Sequence, residues 1–321
     1  MKAVVLDHSC SAEEMPLKDI PVPQVCSGWV LVKVKAFGLN HSEVILRIHE
    51  INNSYIQKPI VPGIECAGII ADASDSDLHI GDAVVALMGG MGRSFNGSYA
   101  EYALLPRKNV FKIEQGSLTW EQIAAIPETY YTACGSLFEC LLLKPEDTLL
   151  VRGATSTVGQ AAIQVAHAIG AKVIATSRSS RSFDKMKSIG ADACLTDDGN
   201  LRAQMTHEIR PNKVLELIGP STLPDSMSSV SHPGYVCCTG VLGNKFAFSN
   251  FNPIRDIPNG VFLSSFYSNY PTKQAIDHIF GFIREHRLKP LYSRRFTLEQ
   301  ICEAHELLEH GGAGGKIVIV V

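Results

Sequence analysis

The chain has 321 residues, of which 45% are hydrophobic and 19% are charged, and its formal net charge at pH 7 is −3. Such a composition is typical of globular proteins, and its slight acidity gives no basic field for nucleic acid or an anionic membrane. No apolar run reaches the roughly 18 residues that a membrane span needs. The nine cysteines are scattered, odd in number and free of C-x-x-C pairs, which argues against a disulfide framework and predicts a cytoplasmic protein with reduced thiols.

The N-terminal third of the chain is dominated by strand patterns. Apolar and polar residues alternate through "WVLVKVKAFGLN", and "DAVVAL" and "SYAEYALLP" are shorter runs of the same kind. Glycine-rich stretches such as "MGGMGRSFNG" separate these runs. Many short strands with turns between them predict a barrel-like β domain. The first residues, which turn polar after Leu6, favour a strand over a signal peptide.

From "LTWEQIAAIPETYYTACGSLF" onward, strands alternate with helices. The apolar strand "DTLLVRG" leads into "STVGQAAIQVAHAIG", whose apolar residues recur at i, i+3, i+4 and i+7, as on one helix face. "AKVIATS" follows as a second strand, and "SFDKMKSIGA", "ACL", "KVLELIG" and "GYVCCTGV" continue the alternation. This order predicts a doubly wound parallel sheet. The tail predicts a helix, capped by Thr297 and Gln300 and ended by Gly311, and then a paired strand, "KIVIVV".

The connection between the first parallel strand and its helix is a candidate anion site, because the first N–H groups of a helix lack partners within it. A G-x-G-x-x-G pattern that ends at Gly159 would place two small residues, Ala154 and Ser156, at the other glycine positions. The residues that we assign to a phosphate-binding turn are Ala154, Thr155, Ser156, Thr157 and Val158. The three hydroxyls among them are expected to donate to phosphate oxygens. The alternative is a βα-turn with a Ser/Thr cap and no ligand.

The end of the second parallel strand carries hydroxyls and cations. These residues are Ser177, Arg178, Arg181 and Lys185, and no acid precedes Asp184. A site for NAD usually has Asp or Glu here to bind the ribose hydroxyls, whereas cations attract the 2′-phosphate of NADPH. The alternative is a solvated basic loop. Together with the turn, this loop predicts NADPH as the cofactor.

The order of these segments resembles the medium-chain dehydrogenase/reductase superfamily. The similarity lies in "KAFGLNHSE", "PIVPGIECAGII", "GDAVVAL", "GSYAEYALLP", "ETYYTA", the strand–turn–helix and the tail, and it covers nearly the whole chain. It implies a Rossmann domain inserted into a GroES-like β-barrel catalytic domain. We place the GroES-like parts at residues 1–117 and 265–321, and the NADP-binding Rossmann domain at residues 118–264.

Two zinc ligands of the superfamily's alcohol dehydrogenases are missing. Asn40 stands where those enzymes have Cys, and Ile64 stands where a His precedes Glu65. Neither side chain replaces those ligands, and "MGGMGRSFNGSYAEYA" lacks the four cysteines of a structural zinc lobe. The chain therefore resembles the zinc-independent quinone oxidoreductase branch, which is similar to zeta-crystallin, and we expect no bound metal.

Without a metal, the substrate itself must accept a hydride readily, as quinones and conjugated enones do, since the resulting anion is delocalised. We therefore predict an NADPH-dependent reductase of a small quinone or α,β-unsaturated carbonyl compound. Two alternatives stay open, which are a 2-enoyl thioester reductase and a non-catalytic NADPH-binding protein of the crystallin type. No nucleic-acid or membrane partner is expected, given the missing basic clusters.

The resemblance implies catalytic roles for three residues. Asn40 lies in the segment that faces the nicotinamide and has an amide to donate to a substrate oxygen, although it would also cap the turn before "HSEVILRI". Related reductases often have a tyrosine where this chain has Ile45, and Tyr55 in the following loop is its candidate replacement. Thr132 matches a threonine near the nicotinamide.

The resemblance also implies further cofactor contacts and a homodimer. The expected contacts are Thr239, Gly240, Val241, Leu263, Ser264, Ser265 and Lys316. The first three lie in a loop that approaches the nicotinamide ribose, and the next three in a segment whose backbone receives the carboxamide. Lys316 either reaches the cofactor or flanks the last strand. "GVFLSSFYS" resembles the edge strand through which related proteins form homodimers.

Overall fold

The protein is described by a computed structural model, which covers residues 1–206 and 209–321. Its strands, numbered β1 to β15 in chain order, are Lys2–Val4, Leu17–Asp19, Trp29–Gly38, Glu65–Asp72, Ala83–Leu87, Tyr102–Pro106, Val110–Lys112, Thr148–Arg152, Lys172–Ser177, Ala193–Thr196, Lys213–Glu216, Gly234–Cys238, Val261–Ser264, Arg294–Thr297 and Ile317–Val320. Its α-helices, numbered α1 to α9, are His41–Ile45, Trp120–Ala124, Pro127–Cys134, Thr157–Ala168, Phe183–Ser188, Leu223–Ser229, Pro253–Asp256, Lys273–Glu285 and Ile301–His310. Within the described residues, none of these helices is long and apolar enough to span a membrane.

The chain divides into two compact units. Unit 1 consists of Met1–Tyr131 and Asn269–Val321, and unit 2 consists of Thr132–Ser268. Unit 1 is therefore discontinuous in sequence, and unit 2 is inserted into it. The predicted domain boundaries, after residues 117 and 264, lie N-terminal to these unit boundaries and stay predictions.

Unit 1 is built around a sheet in the order β14-β15-β3-β4-β5-β7, with β6 also paired to β3. Its pairs are antiparallel except for β14 with β15. The long strand β3 buries Val30, Val32 and Val34, which are at most 1% exposed, because alternate residues of a strand point to the same face. The predicted alternation and β-rich domain are confirmed.

The described residues of unit 2 form six parallel strands in the order β10-β9-β8-β11-β12-β13. Leu150, Val214 and Val236 are fully buried, as expected for strands of a parallel sheet that is covered on both faces. Numbered within the unit, the order is 3-2-1-4-5-6, that of dinucleotide-binding sheets. The predicted doubly wound parallel sheet is thus confirmed, and its order reverses between β8 and β11.

The C-terminal segment completes the sheet of unit 1. Helix α9 ends at Gly311, whose φ of 75° suits glycine because it has no Cβ. The next strand, β15, pairs parallel to β14 and antiparallel to β3. The predicted helix end and the predicted pairing of the last strand are both confirmed.

Candidate functional site

The predicted phosphate-binding turn connects β8 to α4 in unit 2. Gly153 has a φ of +85°, which permits the turn directly after the strand. Ser156 is the N-cap of α4, because its hydroxyl accepts a hydrogen bond from the Gly159 N–H at 3.1 Å. The same hydroxyl donates to the Gly153 carbonyl at 2.8 Å, so the proton that we expected it to offer a phosphate is used within the turn. The N–H groups of Thr157 and Val158 remain as donors that the helix leaves unpaired.

Gly159 brings the helix close to the strand. A Cβ atom added at Gly159 would lie 2.6 Å from the carbonyl oxygen of Gly153 and 2.7 Å from the Cα of Ala154. Only glycine therefore allows α4 to begin so near β8, which is the packing role that the third glycine of the pattern has. Ala154 is fully buried, whereas Thr155 is exposed. The backbone thus keeps a shape that suits a pyrophosphate.

The predicted 2′-phosphate residues lie at the carboxyl end of β9. The Gly153 N–H is 3.4 Å from the Thr176 hydroxyl, which joins this end of β9 to the turn. Ser177 is half-buried, and the cations exposed here are Arg178, Arg181 and Lys185. Within the described part of the chain, Arg178 and Arg181 form no ion pair. Both guanidinium groups are therefore available to an anion.

A second group in unit 2 joins Thr132 to the loop after β12. The hydroxyl of Ser136, in the π-helical turn Gly135–Cys140, donates to the Thr132 carbonyl at 2.7 Å and lies 2.8 Å from the Thr239 hydroxyl. Since the one proton of Ser136 is directed at Thr132, Thr239 is the donor in the second hydrogen bond. Two predicted site residues are thus brought together by a serine that no sequence motif singled out.

The remaining predicted cofactor residues of unit 2 lie at the carboxyl ends of β12 and β13. They are Gly240, Val241, Leu263, Ser264 and Ser265. Gly240 packs so closely after β11 that an added Cβ would lie 2.3 Å from the carbonyl oxygen of Leu217. The Ser265 carbonyl accepts a hydrogen bond from the Cys140 thiol at 3.5 Å. This edge of a parallel sheet is where α/β proteins bind their ligands.

Asn40 and Lys316, which were predicted for different roles, lie together in unit 1. The Lys316 ammonium donates to Asn40 Oδ1 and to Glu65 Oε1, both at 2.6 Å, and Asn40 Nδ2 donates to the same Glu65 oxygen at 2.9 Å. Lys316 and Glu65 are fully buried, whereas Asn40 is half-buried. Among the described residues, the partner of the second Nδ2 proton is the Gly38 carbonyl, at 3.5 Å, the outer limit for a hydrogen bond. The cluster thus fixes the amide and holds one of its N–H groups weakly.

Glu65, for which no sequence motif predicted a role, is the centre of this cluster. Its second oxygen accepts a hydrogen bond from the Glu128 N–H, in the first turn of α3, at 2.7 Å. The ammonium, the amide and this N–H together satisfy a carboxylate that would otherwise be costly to bury. The available signal was "PGIECAGIIA", where an acid stands between apolar residues at the start of β4.

Glu43 is a second buried carboxyl group beside Asn40. Its Oε2 accepts a hydrogen bond from the Asn40 N–H at 2.9 Å, and its Oε1 accepts one from the Ile64 N–H at 3.1 Å. Burial raises the pKa of Glu43 to about 7, against the opposing effects of the Ile64 hydrogen bond and the Lys316 charge. Asn40 is also the N-cap of α1, so the capping position does not prevent its amide from joining the cluster.

Tyr55, the third predicted catalytic residue, has different surroundings. It is 57% exposed, and its hydroxyl accepts a hydrogen bond from Asn53 Nδ2 at 3.3 Å. Among the residues that the structure describes, no hydrogen bond joins Tyr55 to Asn40 or Lys316. The phenol of Tyr55 stays an alternative to the Asn40 amide as the donor to a substrate.

The residues around Asn40 do not fit a zinc ion. The Asn40 oxygen accepts from the Lys316 ammonium, whose positive charge would repel a cation, and the Ile64 side chain has no donor atom. Over residues 1–206 and 209–321, no three His, Cys, Asp or Glu side chains are grouped so that they could hold a metal ion. We therefore derive no chemistry through zinc.

Two family models match the chain. Residues 26–115 match the alcohol dehydrogenase GroES-like domain, and residues 157–280 match the zinc-binding dehydrogenase domain. The chain belongs to the medium-chain dehydrogenase/reductase superfamily. The resemblance stated from the sequence is thereby confirmed, as is the combination of a GroES-like domain with a Rossmann sheet. The word zinc describes the superfamily model, not the residues at positions 40 and 64 of this member.

Proteins of this superfamily resemble the chain over its full length. Human quinone oxidoreductase is 29% identical, with 100% of this chain and 98% of the relative covered. A solved structure of an NAD-dependent alcohol dehydrogenase is 28% identical, with a TM-score of 0.84 and all of both chains covered. A mycobacterial protein solved with NADPH shares the fold, at 23% identity and a TM-score of 0.85 over all of both chains. The two solved structures differ in the cofactor that their names give, NAD for the first and NADPH for the second.

The protonation of Glu43 predicts a pH-dependent stability. Its pKa rises from 4.5 to about 7 on folding, so its stabilising contribution is complete below pH 4.5 and is lost as the pH rises through 7. Glu43→Gln removes the titrating group, so its stability should not fall in this pH range. From about pH 5 to pH 8, the free energy of unfolding in urea should fall for the wild type relative to Glu43→Gln by on the order of 2 kcal/mol.

The exposed Glu13 provides a matched control for this measurement. Glu13→Gln should follow the wild-type pH profile within about 0.5 kcal/mol, as surface substitutions usually do. Parallel profiles for Glu43→Gln and the wild type would contradict the assignment to Glu43.

Proposed function

We propose that this oxidoreductase uses NADPH to reduce quinones or α,β-unsaturated carbonyl compounds without zinc. The observation that carries the proposal is the Asn40 amide, which Lys316 and Glu65 hold in place while one N–H is bonded only weakly, to the Gly38 carbonyl at 3.5 Å. The name of the human relative agrees with this substrate class. The identity of the individual substrate depends on loops that carry no transferable code.

A single amide suits an acceptor that needs only a hydrogen bond. Reduction of an ordinary ketone concentrates charge on one oxygen, which a Lewis-acidic metal can stabilise. A quinone or enone that has received a hydride spreads its charge, so one or two hydrogen-bond donors suffice. The Lys316 ammonium, 2.6 Å from the Asn40 oxygen, polarises the amide and strengthens its N–H as a donor. Asn40 would therefore bind the anion more tightly than the neutral substrate.

The chemistry that a bound NADPH supplies is hydride donation. The N–H groups of Thr157 and Val158 would hold the pyrophosphate, and Arg178 and Arg181 would attract the 2′-phosphate. The other residues proposed to contact the cofactor are Ala154, Thr155, Ser156, Ser177, Lys185, Thr239, Gly240, Val241, Leu263, Ser264 and Ser265, with Thr132 beside the nicotinamide. Relatives are named or solved with either NAD or NADPH, so the choice of NADPH rests on the cations that replace Asp or Glu after β9.

Lys316 has a revised role in this proposal. From the sequence we expected Lys316 either to reach the cofactor or to flank the last strand. It directly precedes β15, and its buried ammonium is directed at Asn40 and Glu65. We propose that Lys316 positions and polarises the Asn40 amide.

Asn40→Ala removes the proposed hydrogen-bond donor. We expect kcat/KM for the NADPH-dependent reduction of a benzoquinone to fall by about 100-fold, the usual effect of losing one donor to a developing oxyanion. The Kd for NADPH, measured by fluorescence titration, should change by less than about threefold, since the amide is proposed to bind the substrate oxygen. Steady-state kinetics with the purified protein give the first quantity.

Tyr55→Phe tests the competing phenol donor in the same assay. Because Tyr55 is 57% exposed, the variant should keep kcat/KM within about twofold of wild type. Wild-type activity in Asn40→Ala would contradict the role of the amide. A loss of about tenfold or more in Tyr55→Phe would assign the donor to the phenol instead.

Arg178→Asp tests the choice of cofactor. Charge reversal should weaken NADPH binding by at least about tenfold and NADH binding by less than about threefold, because only NADPH carries the 2′-phosphate. Lys172→Asp makes the same change of charge at the opposite end of β9 and should leave the ratio of the two affinities unchanged. If Arg178→Asp lowered the affinities for NADPH and NADH equally, Arg178 would not bind the 2′-phosphate.

We also propose that the protein forms a homodimer through β13. This strand is at the edge of the parallel sheet, where β12 is its partner among the described strands. Phe262 on β13 is 55% exposed and stacks on Tyr235 with ring centroids 4.9 Å apart. An exposed apolar edge strand favours pairing with another copy. Sedimentation velocity should give twice the 34.9 kDa mass of the chain, and a monomer would contradict the proposal.

A cytoplasmic location is proposed from the cysteines. All nine are free thiols, which matches a reducing compartment. Cell fractionation tests the location, and recovery of the protein from an exported fraction would contradict it.

A further inference from the structure

Arg152 is a buried cation next to the proposed cofactor turn. It ends β8, directly before Gly153, and its side chain is fully buried, which is rare for arginine unless its charge is paired. Its Nε and Nη2 donate to the two oxygens of Asp197 at 2.8 and 2.7 Å. Its Nη1 donates to Asp225 at 2.7 Å. One guanidinium therefore serves two carboxylates, and its contact with Asp197 is bidentate.

The two carboxylates differ in how much they depend on Arg152. Asp225 also accepts hydrogen bonds from the N–H groups of Leu201 and Arg202, at 2.9 and 3.1 Å. Within residues 1–206 and 209–321, the one backbone donor to Asp197 is the Gly199 N–H, at 3.0 Å. The guanidinium is thus the main partner of the Asp197 charge.

Asp197 stands beside the residues that are proposed to hold the 2′-phosphate. Its N–H donates to the Ser177 carbonyl at 2.8 Å, and the preceding Thr196 pairs with Ser177 across the two strands. The Asp197 side chain is 9% exposed, so solvent ions screen its charge little. Without a partner, this carboxylate would repel a 2′-phosphate.

We propose that Arg152 sets the preference for a 2′-phosphorylated cofactor by neutralising Asp197. The inference rests on the proposed use of NADPH and deepens it, because the exposed Arg178 attracts the phosphate while the buried Arg152 removes a repulsion beside it. Arg152 acts through Asp197 and is a positioning residue, since its buried guanidinium is directed at protein partners. If Arg152 had a purely structural role and only held β8, the loop after β10 and α6 together, its replacement would not change the preference for the 2′-phosphate.

Two probes that differ only in the 2′-phosphate distinguish these roles. Adenosine 2′,5′-bisphosphate and adenosine 5′-monophosphate are titrated into the full chain by calorimetry, and the wild type should bind the bisphosphate more tightly. Arg152→Gln should lower the ratio of the two affinities by at least about tenfold. Arg152→Gln/Asp197→Asn, which also removes the repelling charge, should restore the ratio to within about threefold of wild type. Asp197→Asn alone should keep or increase it.

The possible outcomes separate the role of Arg152 from the use of NADPH. An unchanged ratio in Arg152→Gln, no restoration in the double variant, or a decrease in Asp197→Asn would overturn the role of Arg152 while leaving NADPH in place. If circular dichroism shows that Arg152→Gln does not fold, the double variant and Asp197→Asn carry the test. A wild type without preference for the bisphosphate would contradict the use of NADPH itself, and with it the role of Arg152.

Discussion

The buried ion pair between Lys316 and Glu65 is the interaction on which unit 1 and its candidate site depend. Taking both charges out of water is costly unless they are paired and hydrogen-bonded. Here the ammonium and the carboxylate lie 2.6 Å apart, and the Asn40 amide accepts a hydrogen bond from the ammonium and donates one to the carboxylate. Glu65 also accepts from the first turn of α3. Removal of either charge would leave the other unpaired inside the unit, a change that usually costs about 3–5 kcal/mol. The pair thus links the returning C-terminal segment to the N-terminal part of unit 1.

Both units use a buried cation to control a polar group that is proposed to serve the reaction. In unit 1, the Lys316 ammonium donates to the oxygen of the Asn40 amide, which we propose as the donor to the substrate oxygen. In unit 2, Arg152 neutralises Asp197 beside the proposed 2′-phosphate residues. Neither cation is itself exposed to a ligand. Each cation acts electrostatically on its polar neighbour, the Asn40 amide or the Asp197 carboxylate, and burial strengthens this interaction because little water screens it.

Local patterns in the sequence predicted the fold well, whereas contacts between distant residues were missed. The alternation in β3, the βα order of unit 2 and the glycine at position 159 follow from short-range periodicity and sterics. Lys316 and Asn40 are 276 positions apart, and no local pattern indicates that their side chains meet. The proton of the Ser156 hydroxyl was expected to face a phosphate, but the closeness of the Gly153 carbonyl, which only the folded turn shows, directs it inward.

We propose that the protein transfers a hydride to a conjugated acceptor without a metal. Stopped-flow absorbance of NADPH tests it directly when protein dialysed against a chelator is mixed with a panel of quinones and enones, with saturated ketones of matched size as controls. We expect conjugated acceptors to oxidise NADPH, saturated ketones not to oxidise it, and added zinc not to raise the rates. Absence of turnover across the conjugated panel, or turnover that appears only after zinc is added, would contradict it.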